Sequence, residues 1–550
     1  MKKIILTIFV AASFLASCSD AYEVEQPGFV SDEASVFSTP EQVSRGVKAL
    51  YNVIPAEQEV QFASFYTDEL GIGLGNLGQG TNDGSYNFSL ISNNEYANSI
   101  WANYYNIINR ANRIENRVKE LLPTASQDEI LKYNQSLAEI YALRAFSNLK
   151  LFSYFTPDYT NPSGLSVIKF DFLQTDNYTR FEKRATVSEI VAFIEDDIAK
   201  AKSLAGETGM ENFASGYASN AMLEAILIKL YSMVQTPAAY TELENAFNRL
   251  SEIKNLGGAN EFLSMFGEGD GTEGIFKYIR VVTDGTGIQS GVANAWYPTN
   301  ITGQAYMEIG RSLYNELDKL DPALTGKQLH DYKTYSAQQR DSLVTATYSR
   351  LDARYGASVF DAGTTKRGST IVAQNYLGLT PEEYREQDVL RIGKYQGLNA
   401  TQRPLMNSIW VFRFSDMLLA LAEKRAANGN LTGTVALGDY SNVESIIFNL
   451  RSHRNTDESL TPVDMPTNFS SPQQAYARIL EERRVEFAFE GHRYLDMKRL
   501  GVKAGSPGFV RHEKDCLNVC SLEPSSYKLT MPIPRPEMVA NPNMVQNTGY

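Results

Sequence analysis

The stretch that dominates the C-terminal third of the chain is Ile479-Leu480-Glu481-Glu482-Arg483-Arg484-Val485-Glu486-Phe487-Ala488-Phe489-Glu490-Gly491-His492-Arg493-Tyr494-Leu495-Asp496-Met497-Lys498-Arg499-Leu500-Gly501. Its acids have arginines three positions away, as in Glu481 with Arg484 and Glu490 with Arg493, which predicts ion pairs along a helix. Paired carboxylates also perform glycoside hydrolysis, so a catalytic use of these acids is the alternative. His492 lies in the same run, and we interpret it as a structural histidine rather than a base.

Helical periodicity extends outward from this stretch over the first and last thirds of the chain. Three short motifs have the composition of helix N-termini. They are Thr39 before Pro40, Ser126 with Glu129, and Thr186 with Glu189. Helices are predicted at 40–54, 95–122, 127–154, from 187 onward, and at 214–233, 240–253, 404–427, 442–453 and 471–500. The two long helices around 123 predict a helix hairpin of the tetratricopeptide type.

The middle of the chain, 257–402, lacks this periodicity. Glycine, threonine and aromatic residues are interspersed there, and 274–282 has the pattern of a short strand. Irregular segments of this kind generally lie on the surface and carry binding residues. Glu268, Asp270 and Glu273 stand among glycines, where we expect a solvated turn, with a calcium site as the alternative.

The N terminus has the pattern of a secretory signal. A basic start, an apolar stretch at 4–15 and small residues before Cys18 fit that pattern, and the apolar stretch is too short to span a bilayer. Leu15-Ala16-Ser17-Cys18 is similar to the bacterial lipobox, whose cysteine is lipidated. Cys18 is therefore expected to carry a lipid anchor.

Composition excludes several classes of function. The net charge of −13 becomes −15 when 1–17 is removed with its two lysines, which argues against nucleic-acid binding. Four histidines without metal-site spacing and three cysteines predict neither a metal site nor a disulfide scaffold. The segment 73–78 has the letters of a dinucleotide fingerprint but is followed by a loop, so no cofactor is expected. Cys516 and Cys520 predict a local disulfide, with two free thiols as the alternative.

Three ordered segments near the C terminus carry a family resemblance. They are the stretch quoted above, the segment 412–423 in which an arginine precedes an apolar run ending in Ala-Glu, and the closing segment 532–550. Leu143-Arg144-Ala145-Phe146 and Leu351-Asp352-Ala353-Arg354 add to them. Together with the lipobox, these segments resemble the SusD/RagB family of outer-membrane nutrient-binding lipoproteins over nearly the whole chain.

The resemblance implies a mainly α fold, in which tetratricopeptide-like helix pairs carry a long, loop-rich and partly β insertion. It also implies a partner, a SusC-type TonB-dependent barrel over which the lipoprotein sits as a lid on the cell surface. The expected organisation is a signal peptide at 1–17, an acidic tether at 18–38, an N-terminal helical scaffold at 39–256, a loop-rich ligand-binding region at 257–402, and C-terminal helices with the closing segment at 403–550.

Ligand residues are expected in two loops, because sugar rings are bound by stacking on aromatic rings beside polar groups. The expected site residues are Trp296, Tyr297, Asn294, Tyr86, Asn82 and Asp83. Trp296 lies in a polar loop with no evident core to fill, which favours a binding platform. Trp101 and Trp410 follow apolar patterns, so we expect both to pack in the core.

These observations lead to one expected function and two alternatives. We expect a non-catalytic surface lipoprotein that captures oligosaccharides and delivers them to the transporter. The first alternative keeps the partner and changes the cargo to peptides, as in the RagB branch. The second is a glycan hydrolase built on the acids around Glu481.

Overall fold

The computed structural model describes the chain in stretches separated by gaps. They are 36–73, 84–173, 181–208, 214–280, 291–297, 305–320, 352–360, 391–395, 397–399, 403–404, 406–456 and 468–550, with the single positions 75, 76, 78, 81 and 210. Cys18 and its surroundings therefore lie outside the described residues. Among the helices of the described part, none is both long and apolar enough to cross a bilayer.

Helices make up most of the described fold. Their bounds are Pro40–Tyr51 (α1), Ala56–Tyr66 (α2), Glu95–Leu121 (α3), Gln127–Phe155 (α4), Val187–Thr208 (α5), Asn220–Val234 (α6), Pro237–Ser251 (α7), Ala259–Met265 (α8), Arg311–Lys319 (α9), Ala353–Ser358 (α10), Phe414–Ala427 (α11), Val443–Arg454 (α12), Pro472–Glu486 (α13), Arg493–Leu500 (α14) and Arg535–Ala540 (α15). The mainly α fold class is confirmed.

The helix starts predicted from capping residues are present. At α1 the Thr39 hydroxyl accepts a hydrogen bond from the Gln42 amide, and the Gln42 side chain accepts one from the Thr39 amide. Ser126 and Glu129 form the same reciprocal pair at α4. Each cap satisfies amide groups that the first helical turn leaves without a partner.

The long helices α3 and α4 form the predicted hairpin, joined by a turn at Leu122–Thr124. One face of α3 is buried, as the spacing predicts, through Ile100, Tyr104, Ile107, Ile108, Ala111, Ile114 and Val118. Further helices pack side by side, α4 on α5 and α6 on α7, as in tetratricopeptide-like scaffolds.

The strands are short and pair in twos. The described antiparallel pairs are β1 (Leu70–Ile72) with β5 (Met307–Ile309), β2 (Leu165–Ile168) with β3 (Arg184–Thr186), β4 (Gly274–Tyr278) with β10 (Ile409–Arg413), β6 (Val359–Phe360) with β7 (Arg391–Ile392), β8 (Gly397–Asn399) with β9 (Arg403–Pro404), and β11 (Phe509–Val510) with β12 (Ser521–Leu522). The pair β1–β5 links two distant parts of the sequence.

The helix predicted at 404–427 begins only at Phe414. Ile409-Trp410-Val411-Phe412-Arg413 forms β10 instead, because β-branched and aromatic residues favour a buried strand. Strand β4 lies against it, and the missing side chain at Gly274 leaves room for the Trp410 ring. The predicted strand at 274–282 is confirmed as β4, with an earlier end.

The helix predicted at 471–500 is broken into α13 and α14. Phe489 and Gly491 lie between them with φ values of 63° and 86°, which a helix does not allow. The break frees the Phe489 amide, which donates a hydrogen bond of 2.9 Å to the Glu69 carboxylate. Helix periodicity alone could not show this tertiary contact.

The ion pairs predicted within this stretch are wrong in their partners. Glu481 pairs with Arg478 at 3.2 Å, whereas Arg484 and Arg493 both pair with Asp68 from the far end of the chain. Glu490 pairs with Lys394 rather than with the arginine three positions on. Arg484 and Arg493 point into the interior, where they meet Asp68, whereas the exposed Glu481 forms its i,i+3 pair with Arg478 instead of Arg484.

A buried charge network connects α13 to the middle of the chain. Glu486 accepts from Arg454 at 2.7 Å and from Arg413 at 3.0 Å, and the same two arginines contact Glu273. Arg413 also donates to Glu490 at 2.9 Å. All five side chains are almost completely buried.

The expectation of a solvated turn at 268–273 is wrong for Glu273. Its carboxylate lies inside this network, Asp270 pairs with Lys277 at 2.7 Å, and Glu268 accepts from the Ser408 amide at 2.5 Å. The three carboxylates therefore have separate partners and do not converge on a common point.

We predict that Glu486→Gln lowers the free energy of unfolding by about 3–5 kcal/mol, because it leaves buried guanidinium groups without a counter-charge. Glu481→Gln is the matched control: this side chain is on the same helix but 60% exposed, so we expect a change below about 0.5 kcal/mol. Chemical denaturation followed by circular dichroism measures both. Equal losses of unfolding free energy in the two variants would contradict the claim that the buried network matters more for stability than the exposed ion pair.

Candidate functional site

The pair β1–β5 brings the two predicted ligand loops together. Leu70 pairs with Ile309 and Ile72 with Met307, and the ladder continues where the Gly73 amide donates to the Tyr306 carbonyl at 3.1 Å. We call the described residues of 73–84 and 291–306 the β1–β5 loop cluster. Antiparallel pairing fixes the position of one loop relative to the other.

Trp296 is fully buried, so the expectation that it has no core to fill is wrong. Its ring packs against Phe489 at 5.5 Å between centroids and lies near Tyr395. Its carbonyl accepts hydrogen bonds from the amides of Tyr306 and Met307. In this position Trp296 fixes the loop from beneath and offers no open ring face.

Tyr297 and Tyr86 are also fully buried. The Tyr297 hydroxyl accepts from the Ile392 amide at 2.6 Å and donates to the carbonyl of the same residue at 3.1 Å. The Tyr86 hydroxyl contacts the carbonyls of Leu70 and Asp515. Both rings therefore anchor loops to the scaffold.

The remaining predicted site residues have different outcomes. Asn294 is half-buried in the middle of the 291–297 segment. Asn82 and Asp83 lie outside the described residues, between the half-buried Thr81 and Gly84. Trp101 and Trp410, the two tryptophans expected in the core, are both buried.

Tyr306 is an aromatic residue of the cluster that the sequence interpretation missed. It is half-buried, and its carbonyl accepts from the Asn76 side chain at 2.8 Å. This bond joins the first loop to the second. Within the first loop, the Asn76 side chain also accepts a hydrogen bond from the Gly78 amide at 2.9 Å. The position of Tyr306 immediately before β5 was the available signal, because strand ends at a loop cluster present side chains to ligands.

A disulfide hairpin supports the cluster from one side. The structure joins Cys516 and Cys520 by a disulfide, at the tip of the β11–β12 hairpin. Next to it, Asp515 accepts from the Arg311 amide at 2.6 Å and forms an ion pair with the same residue. Because Arg311 lies two residues after β5, this contact holds the chain at the end of that strand.

The broken C-terminal helix holds the other end of the cluster. Arg493 donates two hydrogen bonds to the Asp68 carboxylate, at 2.8 and 2.9 Å, and Arg484 adds a third contact. Burial acts to raise the pKa of Asp68, but the two guanidinium groups outweigh it and lower the pKa well below its usual range. Asp68 stands two residues before β1.

Glu69, the next residue, is held differently. Burial raises the pKa of Glu69 to about 7, although the Phe489 amide donates to one carboxylate oxygen. The Glu69 carbonyl accepts from the Gly310 amide at 2.7 Å, just after β5. Glu69 thereby contacts both the break between α13 and α14 and the end of β5.

The acids considered for hydrolysis do not have the environment of a general acid. Burial acts to raise the pKa of Glu482, but Arg451 and Arg354 outweigh it and lower the pKa to about 2. Arg454 and Arg413 similarly lower the pKa of Glu486. A general acid needs a raised pKa and access to the substrate, and these buried, paired carboxylates have neither. Within the described stretches, no three or more His, Cys, Asp or Glu side chains are grouped as metal ligands would be.

Comparison with known proteins agrees with this architecture. Residues 264–550 match the SusD family. The chain belongs to the SusD family. SusD-like protein P2 of Formosa agariphila is 23% identical, with both chains covered completely.

Solved structures match the fold. A SusD superfamily protein from Bacteroides thetaiotaomicron has a TM-score of 0.66 and 18% identity, covering 92% of this chain and 99% of that one. A Bacteroides vulgatus structure, described as a candidate sugar-binding protein, has a TM-score of 0.63 and 21% identity, covering 93% and 99%. At these identities the matches show the shared fold.

We predict that Trp296→Ala lowers the free energy of unfolding by about 3–5 kcal/mol, because it leaves a large cavity under the loop cluster. Asn294→Ala, two residues earlier and half-buried, should change it by less than about 0.5 kcal/mol. Urea denaturation compares the two. A Trp296→Ala protein as stable as wild type would mean that the ring does not support the loop.

Proposed function

We propose that this SusD-family protein captures oligosaccharides at the β1–β5 loop cluster and delivers them to a SusC-type TonB-dependent transporter in the outer membrane. The observation that carries the proposal is the pairing of β1 with β5, which unites two loops separated by more than 200 residues. Family membership and the candidate sugar-binding relative support a carbohydrate cargo.

The cluster supplies the chemistry that a sugar needs. The half-buried Tyr306 offers an aromatic surface for the apolar face of a sugar ring, and Asn294 offers an amide for hydroxyl groups. Asn82 and Asp83, in the other loop at 73–84, stay predicted ligand residues. Trp296, Tyr297 and Tyr86 serve this site indirectly, because they keep the loops in place before a ligand arrives, which reduces the entropy lost on binding.

The proposed location follows from the N terminus. A lipidated Cys18, with the acidic tether at 18–38, would hold the folded chain at the outer membrane surface and leave it free to move over the transporter. The mature charge of −15 would not repel a neutral oligosaccharide. The proposed functional regions stay as predicted: the scaffold at 39–256, the loop-rich region at 257–402 and the C-terminal region at 403–550.

The proposal is one of binding without hydrolysis. Glu482 and Glu486 of α13 are bound by arginines inside the scaffold, and the exposed Glu481 pairs with Arg478 on the same helix. Incubation with the bound oligosaccharide should therefore release no reducing ends. Release of reducing ends by the wild-type protein would contradict this account.

Calorimetric titration with a panel of neutral oligosaccharides and of peptides tests the cargo. We expect an oligosaccharide to bind and Tyr306→Ala to weaken that binding by about three- to tenfold, because an aromatic contact contributes about 0.5–1.5 kcal/mol. Tyr527→Ala, which removes an exposed tyrosine outside the loop cluster, is the matched control and should bind as wild type. Binding of peptides alone, or an unchanged affinity of Tyr306→Ala, would contradict the proposal.

A further inference from the structure

A second aromatic cleft lies outside the β1–β5 loop cluster. Lys48, Tyr51 and Asn52 at the end of α1 form one wall, and Tyr217 with the end of β4 forms the other. The cavity between them has a volume of about 270 Å³. We call it the tyrosine cleft, and none of its lining residues belongs to 73–84 or 291–306.

The floor of the cleft is rigid. The buried Tyr51 hydroxyl donates to Glu139 at 2.7 Å and accepts from the Ala218 amide at 2.9 Å. The bond between Tyr51 and Ala218 joins the two walls, and within the second wall the Lys277 amide of β4 donates to the Ser215 carbonyl at 2.8 Å. The walls are therefore positioned without a ligand, which favours binding.

The rim exposes residues that proteins usually bury. Tyr217 is 36% exposed and Ile279 is 38% exposed, and both line the opening. The Tyr217 ring meets Tyr51 edge to face, with centroids 5.5 Å apart and an interplanar angle of 80°. An edge contact of this kind leaves a face of the Tyr217 ring for another group.

One exposed cation, Lys48, stands at this rim. It forms no ion pair or hydrogen bond with the part of the chain that the structure describes, and Asn52 beside it likewise has an unused amide side chain. The nearby carboxyl group of Glu139 accepts the hydrogen bond of the Tyr51 hydroxyl. Burial raises the pKa of Glu139, and the charge of Lys48 acts in the opposite direction. In contrast, Lys277 on the opposite wall is already paired with Asp270.

We propose that the tyrosine cleft is a second carbohydrate site that takes one acidic sugar unit, a hexuronate. The ring would stack on Tyr217, its hydroxyl groups would meet Asn52, and its carboxylate would pair with Lys48. The cavity is slightly smaller than the roughly 300–1,000 Å³ of drug-sized ligand pockets, which fits one sugar ring better than a chain.

A second contact of this kind changes how a polymer is captured. Two weak sites on one protein can hold one polysaccharide more tightly than either alone, because the second contact is intramolecular. The site also selects for acidic chains, which the net charge of −13 would otherwise repel. The two sites share no lining residue, so the proposal stands or fails apart from the proposed function of the loop cluster.

Saturation-transfer and chemical-shift NMR with methyl β-D-glucuronide test this site, with methyl β-D-glucoside as the neutral counterpart. We expect wild type to bind the glucuronide more tightly. Tyr217→Ala should weaken it by about three- to tenfold through loss of the aromatic contact. Lys48→Gln should weaken the glucuronide alone by about two- to fivefold, since an exposed ion pair contributes less than about 1 kcal/mol.

Three controls keep the result specific. Tyr217→Phe retains the ring and should bind as wild type, and Lys183→Gln removes another exposed lysine without effect. Tyr306→Ala should leave glucuronide binding unchanged, which separates this site from the loop cluster. The proposal is overturned if wild type does not bind the glucuronide, if it prefers the neutral glycoside, or if Tyr217→Ala and Lys48→Gln bind as wild type.

Discussion

The bidentate contact between Arg493 and the Asp68 carboxylate is the interaction on which the position of the loop cluster depends. It joins the C-terminal helix α14 to the residue pair that precedes β1, across 425 positions of sequence. A buried carboxylate is costly unless guanidinium groups satisfy it, so Asp68 is stable only where Arg484 and Arg493 meet it. Strand β1 begins two residues later, and its place follows from that requirement.

The same logic extends through the rest of the charge network. Glu486, Glu490 and Glu273 surround Arg413, and Glu482 joins Arg354 to Arg451. Such a network contributes little net stability compared with apolar packing, but removing one partner leaves a buried charge alone. We infer that the network fixes the relative positions of α13 and of the segments around 273 and 354. The loops extend from these segments.

Sequence reasoning predicted the features that depend on near neighbours in the chain. The capping pairs at Thr39 and Ser126 depend on residues three apart, and both were predictable. The predicted Glu490–Arg493 pair is wrong, because Glu490 pairs with Lys394 and Arg493 pairs with Asp68, and both partners are distant in sequence. Helix spacing likewise could not show the break at Phe489, whose left-handed backbone is stabilised by contacts with Glu69 and Trp296.

Sequence patterns identified two loops that the structure brings together, but not which of their aromatic side chains are buried. Two polar, aromatic-containing loops were identified, and β1–β5 brings them together. Trp296 was expected to present an open ring because its local sequence is that of a polar loop. Its ring instead packs in the core against Phe489 and Tyr395. A large ring in a polar loop has two uses, and only the tertiary structure distinguishes them.

Hydrogen exchange measured by mass spectrometry on wild type and Asp68→Asn tests the central claim most directly. If the Asp68 contact positions the cluster, the variant loses amide protection at 70–76 and 305–310, while α3 and α4 keep theirs. Unchanged protection at 70–76 and 305–310, or an equal loss throughout the molecule, would contradict a role of this contact in holding the loops.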